Sequence, residues 1–498
     1  MLKPADIFDR DAEWESLGRF VEDERPGASL GVVSGRRRQG KSFLLEAACE
    51  QAGGFYFSAQ EATDAESLAL IGDALTGYLD PVVPFAPASW TQVADVLLRM
   101  GRERPVPVVI DEFPYLVRAA PSLPSVIQAA YAPRRAERTE SRTRLLLCGS
   151  ALSFMGGLLS GNAPLRGRAS LDLTVQTLNY QLAARFWELT DPRLAFLVNA
   201  VVGGTPAYRT EMIRYDAPGG IGDFDEWVVR AILSPGSPMF LEGRYLLAEE
   251  PDLRDTALYH SVLAAIAEGN TTRGAIASHV GRKTNELAHP LTVLEDAGLV
   301  RREQDAFRAN RSHFRVNEPL LTFYHAMMRP FWAQLSRAAT TMEVWQRSQH
   351  RFASNVLGPH FESICREWVL YFAGDRFGGL PAQVMAGTVN DAVGKSVCEV
   401  DVAAIGHADT GRPPLLAIGE AKWNEVMDGC HLARLRRIRD LIAGSEKYDT
   451  RRTRLICFSG AGFSRELTDA ASRDEVELIG LDQLYGHVVL GTGNGGNE

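Results

Sequence analysis

None of the six cysteines (Cys49, Cys148, Cys365, Cys398, Cys430, Cys457) stands in a C-x-x-C pair. That excludes a zinc-ribbon spacing and a dense disulfide framework, and it fits a reducing cytoplasm. No apolar run approaches the roughly 18 residues a membrane-spanning helix needs, so no membrane partner is expected, nor is a signal peptide. Positive charge is not in excess: 53 Lys and Arg against 62 Asp and Glu leave a net charge of -9. Bulk charge therefore does not point to nucleic acid, although a local basic face stays compatible with it. What is present is an ordinary globular composition, 45% apolar and 23% charged, over 498 residues. That is too long for one core and suggests about three domains.

The most informative stretch is Gly35-Arg36-Arg37-Arg38-Gln39-Gly40-Lys41-Ser42. It follows the apolar run Leu30-Gly31-Val32-Val33 and precedes Phe43-Leu44-Leu45-Glu46-Ala47-Ala48, which reads as a helix. Strand, G-x-x-x-x-G-K-[ST] loop and helix form a phosphate-binding loop. Gly35 and Gly40 let the backbone curl until its N–H groups face phosphate oxygens, and the helix N-terminus adds its positive end. Lys41 is expected to reach the β and γ phosphates of ATP, and Ser42 to offer its hydroxyl to Mg²⁺.

A nucleotide site needs an acid at the end of a second buried strand. Val106-Pro107-Val108-Val109-Ile110-Asp111-Glu112 supplies it. Asp111 would hold Mg²⁺ through water, and Glu112 would act as the base on the attacking water. Arg144-Leu145-Leu146-Leu147-Cys148-Gly149-Ser150 is a third strand, with Ser150 a candidate sensor of the γ-phosphate. Phe55-Tyr56-Phe57-Ser58-Ala59 is a fourth. The alternation of strands and helices predicts a doubly wound α/β domain with a parallel sheet. Arg168, in a glycine-containing loop after the third strand, is a candidate catalytic arginine. It would touch the γ-phosphate of its own subunit or of a neighbour's, and the latter implies a homo-oligomer.

These residues resemble the archaeal-type ATPase family of the AAA+/STAND lineage, many of whose members carry a C-terminal nuclease-like domain. The resemblance rests on Phe8-Asp9-Arg10-Asp11, the loop with its arginine run, Asp111-Glu112, Gly149-Ser150 and Gly203-Gly204-Thr205-Pro206-Ala207-Tyr208. It implies ATP binding and hydrolysis and places Arg10 beside the adenine. The family's Pro-Leu-Tyr-Gly-Arg-Arg is here Pro164-Leu165-Arg166-Gly167-Arg168-Ala169, with the aromatic and the second arginine lost.

Past residue 253 the pattern changes. Leu258, Val262, Leu263 and Ile266 mark one amphipathic helix; Thr271-Thr272-Arg273 opens a second, with Ile276 and Val280 inward. After the turn Gly281-Arg282-Lys283-Thr284-Asn285, with Thr284 as N-cap, a third helix holds Leu287, Leu291, Val293 and Leu294. Leu299 to Glu303 and Phe314 to Val316 read as the strands of a wing. This is a winged helix-turn-helix pattern. Arg282, Lys283, Thr284 and Asn285 are its candidate DNA contacts at the recognition helix, with Arg301 and Arg302 near the wing. A lid or protein-docking role is the alternative.

In the last third, Phe361 to Val369 is an amphipathic helix carrying Glu362. Val397 to Ile405 and Leu415 to Trp423 are adjacent strands, turning through 406–414 and expected to be antiparallel. Alternation puts Glu399 and Asp401 on one face of the first, and Glu420 and Lys422 on one face of the second. Asp401 and Glu420 could converge on Mg²⁺ with Glu362 and the Ala421 carbonyl, while Lys422 acts on the water and the phosphate. The set resembles the PD-(D/E)xK nuclease superfamily, and Arg454 to Ser459 fits that fold's core.

The expected organisation is a P-loop core over 1–175, a helical lid over 176–250 and a winged helix over 251–318. A connector at 319–350, a restriction-endonuclease-like α/β domain over 351–486 and a disordered tail at 487–498 follow. The expected function is a Mg²⁺-dependent ATPase coupled to DNA binding and metal-dependent cleavage. The alternatives are a STAND-type regulatory switch or a transcription regulator whose C-terminal domain binds without cutting.

Overall fold

The computed structural model describes residues 1–248, 256–391, 393–408, 410–445 and 447–486. The expected tail and the expected boundary between lid and winged helix lie outside the described residues. The chain forms two compact units that divide at Thr177–Leu178.

The first unit is built on five parallel strands: β1 (Ser29–Ser34), β2 (Phe55–Ser58), β3 (Val106–Asp111), β4 (Thr143–Gly149) and β5 (Ala169–Thr174). Their order is β2-β3-β4-β1-β5, and all four pairings are parallel. The near-continuous apolar runs of β1, β3 and β4 follow from helices covering both faces of a central parallel strand. One face packs Leu30, Val32, Val108, Ile110, Leu145 and Leu147 into one core. The other packs Val33, Val109, Leu146 and Cys148 under the helix Lys41–Ala52. Strand β5 was not predicted. It is an edge strand whose Ala169, Leu171 and Leu173 alternate with exposed Ser170, Asp172 and Thr174, so it presents no apolar run.

The second unit holds a mixed sheet: β8 (Pro381–Asp391), β9 (Ser396–Gly406), β10 (Leu415–Lys422), β11 (Arg454–Ser459) and β12 (Glu477–Ile479), following the two-stranded hairpin β6 (Val300–Gln304) and β7 (Ser312–Val316). The sheet order is β12-β11-β10-β9-β8. Strands β8 to β10 run antiparallel in sequence, as expected for β9 and β10, and β10 to β12 run parallel. The edge strands β8 and β12 went unpredicted. The winged-helix elements are Thr256–Ala267, Arg273–Val280, a 3₁₀ turn at Thr284–Leu287, Ala288–Asp296 and the hairpin. Thr284 is not the expected N-cap but lies inside the 3₁₀ turn, while Thr272 caps the helix Arg273–Val280, its Oγ1 accepting the Ala275 N–H.

Where the sequence suggested separate lid, winged helix, connector and C-terminal domain, one apolar core runs through all four. It joins Tyr180, Phe196, Trp227, Leu263, Leu291, Phe323, Trp345, Phe361, Ala417 and Tyr485. Side-chain bonds follow the same course: His360 bonds Asn199 at 2.8 Å, and Arg193 stacks on Trp423 at 4.8 Å.

Candidate functional site

The phosphate loop curls at three left-handed residues: Gly35 (φ 149°), Arg38 (φ 68°) and Gly40 (φ 89°). At Gly35 a Cβ would stand 2.5 Å from the Val175 carbonyl oxygen, so both the angle and the space require glycine. Lys41 begins the following helix and is buried; its Nζ donates to the Arg36 carbonyl at 2.9 Å. Burial pushes the Lys41 ammonium below the usual lysine range, against the opposing pull of Glu112 and Asp111. Arg36 and Gln39 are buried in the loop, whereas Arg37 and Phe43 are exposed. Gln39 Oε1 is buried without a hydrogen bond.

The sheet order sets β4 between β1 and β3, so the loop, the end of β3 and the end of β4 stand side by side at the carboxyl edge. Ligands in open parallel sheets bind at that edge. Ser42 Oγ donates to Asp111 Oδ2 at 2.6 Å, and the Glu112 N–H donates to Asp111 Oδ1 at 2.8 Å. Burial alone would raise Asp111, but hydrogen bonds from Cys148, Ser42, Tyr56 and the Glu112 N–H outweigh it and hold the carboxyl below its ordinary value. Glu112 moves the other way: burial and the charge of Asp111 raise it. It is held in the left-handed region (φ 51°) directly before the helix Phe113–Ala119, and Ser150 Oγ bonds its Oε2 at 3.4 Å. A hydroxyl beside an ionised carboxylate is a hard-oxygen donor set that suits Mg²⁺. Sequence reasoning missed Tyr56, whose hydroxyl donates to Asp111 Oδ2 at 2.6 Å. Its signal was only its position on β2 two residues before Ser58, the partner of Asp111.

Arg10 is buried, in the left-handed region (φ 64°). Its Nη2 donates to the Gln176 carbonyl at 2.6 Å and to the Gln39 carbonyl at 3.4 Å, and its Nη1 pairs with Glu13 at 3.0 Å. Its observed bonds thus tie the loop backbone to the segment after β5. Arg168 requires a correction. It directly precedes β5, whose Ala169 pairs with Leu30 at the start of β1, and its Nη1 bonds the Tyr131 carbonyl at 3.4 Å. The loop follows Ser34 at the other end of β1, about 15 Å away at ~3.3 Å per residue. Arg168 therefore does not reach the phosphate loop of its own chain.

In the second unit, Arg282, Lys283, Thr284 and Asn285 are all exposed, and Arg282 stands 4.0 Å from Glu286. The wing differs from the expectation. Arg301 donates to Glu303 (2.7 Å), Asn317 (3.3 Å) and Ser363 (2.6 Å), which turns it toward the C-terminal helix Gly358–Tyr371. Arg302 is exposed and bonds Ser312 at 3.1 Å. The hairpin tip is fastened to the sheet as well. The Ala306 N–H donates to the Ala386 carbonyl at 2.9 Å, and the buried Asp305 accepts from Thr388 Oγ1 at 2.8 Å. With its tip paired in this way, the wing is not a free arm, and the half-exposed Arg301 is engaged by Glu303, Asn317 and Ser363.

The C-terminal carboxylates are individually engaged. Glu362 faces Arg315 at 3.4 Å and Arg366 at 3.8 Å. Burial and the charge of Asp401 push it up to about 7. Asp401 Oδ2 accepts the Ala421 N–H at 2.9 Å, and its carbonyl accepts from Arg366 at 2.9 Å. Glu420, buried, accepts from Arg434 at 2.6 Å and lies 3.3 Å from Lys422, with its Oε2 unbonded. Glu399 is exposed. Among the described residues no three His, Cys, Asp or Glu side chains gather as ligands of a metal ion. Arginines stand against two of the three carboxylates where a cation would need free oxygens, so the residues as placed do not fit a metal.

No known protein-family profile matches the chain. An uncharacterised protein of Methanocaldococcus jannaschii is 22% identical over 374 residues, 73% of this chain and 77% of that protein. Among solved structures, the Walker-type ATPase of Pyrococcus abyssi is similar with a TM-score of 0.49 and 18% identity, over 65% of this chain and 99% of that one. The ORC2 protein of Aeropyrum pernix, in ADPNP-ADP complexes, is similar with a TM-score of 0.45 and 15% identity, over 71% of this chain and 97% of that one. The class that the sheet order and the loop define is a P-loop fold of the α/β type, with a C-terminal mixed sheet. Among the described residues no helix is long and apolar enough to cross a membrane.

Proposed function

We propose that this protein is a Mg²⁺-dependent ATPase whose second unit binds duplex DNA through the exposed turn at Arg282, Lys283, Thr284 and Asn285. The observation that carries the ATPase reading is the 2.6 Å bond between Ser42 Oγ and Asp111 Oδ2, with Lys41 and Glu112 beside it. The loop N–H groups and Lys41 bind the phosphates. Ser42 and Asp111 hold Mg²⁺, which supplies charge neutralisation at the β and γ phosphates when bound. Glu112, held by Ser150 and raised above its ordinary value, orients the attacking water and accepts its proton. Phosphate release from ATP, measured with Mg²⁺ and with EDTA, with and without duplex DNA, tests this. Turnover that EDTA does not suppress, or no turnover in any condition, would sink it.

The C-terminal sheet we read as a platform that fixes the winged helix rather than as a nuclease. The pairing of Arg315 and Arg366 with Glu362, and of Arg434 with Glu420, favours that reading. Incubating plasmid with the protein and Mn²⁺, with and without ATP, should give no nicking. Nicking that Asp401→Asn removes would restore the nuclease reading.

A further inference from the structure

Asp111 Oδ2 accepts two short hydrogen bonds from two different elements: one from Ser42, at the start of the helix after the loop, and one from Tyr56 on β2, both at 2.6 Å. Oδ1 accepts a third from the Glu112 N–H. An ionised carboxylate has about four lone-pair positions. These three donors and the Cys148 thiol account for them, so a water of the metal would take the position that the Ser42 hydroxyl gives up on turning to the metal. The hydroxyl of Ser42 has its own work at the metal. Tyr56 has none, and its reach follows from the sheet: Tyr56 pairs with Val109 and Ser58 with Asp111, so the ring lies on the same face as the carboxylate, one diagonal step back. The Tyr56 hydroxyl is the donor that reaches the carboxylate from β2, and together with Ser42 and the Glu112 N–H it fixes how the carboxylate is turned.

We propose that Tyr56 is a positioning residue for Mg²⁺ binding. Its hydroxyl fixes the orientation in which Asp111 meets the metal's water. This rests on the ATPase reading above. Groups that orient a metal-binding carboxylate are worth about 10-fold or more in metal affinity. Tyr56→Phe keeps the ring and removes only the donor.

The test is a fluorescence titration of the full chain with a fluorescent ATP analogue, first in EDTA and then with increasing Mg²⁺, beside a thermal melt. Tyr56→Phe should bind the analogue in EDTA as the wild type does, yet need about 10-fold more Mg²⁺ to reach its half-maximal effect. An unchanged Mg²⁺ midpoint overturns the proposal, whether or not the melting temperature falls, since a purely structural hydroxyl would affect the melt alone. Affinity lost equally in EDTA and in Mg²⁺ also overturns it. A wild-type protein that binds the analogue in EDTA but gains nothing from Mg²⁺ removes the ATPase reading itself, and the proposal with it.

Discussion

Glu303, on the hairpin, and Arg366, on the helix Gly358–Tyr371, face each other at 3.8 Å inside the second unit. Arg315 and Arg301 approach the same carboxylate at 3.0 and 2.7 Å. Burial pushes Glu303 up, but Arg366, Arg301 and Arg315 outweigh it and hold the carboxyl at about 2.

Replacing Glu303 by Gln leaves three guanidinium groups around a neutral amide. Breaking a buried ion pair from one side costs about 3–5 kcal/mol, so the melting temperature should fall by several degrees. The sign of the pH effect follows from the depressed value. The carboxylate contributes stability in full above its unfolded pKa near 4.5, and loses it as pH falls toward 2. Melts of the wild type between pH 6 and pH 3 should therefore show a loss that Glu303→Gln shows less of. Parallel curves would mean that the network contributes nothing.

Lys41→Ala should abolish tight ATP binding, since the phosphates lose their charge-assisted partner. The buried ammonium holds the loop through a single hydrogen bond to the Arg36 carbonyl and its removal takes away a buried charge, so the fold should persist. Isothermal titration with ATP, beside circular dichroism, checks both halves.

Glu112→Gln should bind ATP normally and hydrolyse it about 10² to 10⁴-fold more slowly. Because burial and Asp111 raise Glu112, the acid limb of the wild-type rate profile should lie above the ordinary carboxylate range. Wild-type turnover in Glu112→Gln would remove the base assignment.

Replacing Arg282 and Lys283 together by Ala should weaken duplex binding and lower the salt slope by about one unit per lost phosphate contact. Arg301→Ala should leave that slope unchanged while lowering the melting temperature, because Arg301 is bound to Glu303, Asn317 and Ser363. A slope that falls in Arg301→Ala would mean the hairpin leaves its dock.

The parts of this architecture that sequence exposes are those written in runs. Strands β1, β3 and β4 are buried on both faces, so their apolar stretches are continuous, and the two loop glycines are demanded by backbone angles. Edge strands hide because half their residues meet water; β5 and β8 are of this kind. Charges mislead for a different reason. Arg301 and Arg302 are adjacent in sequence, but the pleat of β6 sends one inward to Ser363 and leaves the other exposed, and only the packing of the hairpin tells them apart. Arg144, fully buried at the start of β4, donates to the carbonyls of Asp23, Arg25 and Gly27, bonds to a loop that no strand pattern reveals. Arg168 reads as a γ-phosphate contact from its place in a loop, and the register of β5 sets it away from the phosphate loop of its own chain.

Among the described residues, two of the four apolar clusters lie wholly before residue 178 and the other two wholly after it. A chain break between Thr177 and Leu178 would divide none of them. A break at 250, 318 or 350 would cut through the cluster that joins Tyr180 to Tyr485 and leave aromatic surface on both fragments. Any exchange of parts between proteins of this build would thus succeed at one joint only, and the lid, winged helix and mixed sheet would be inherited together as a single piece.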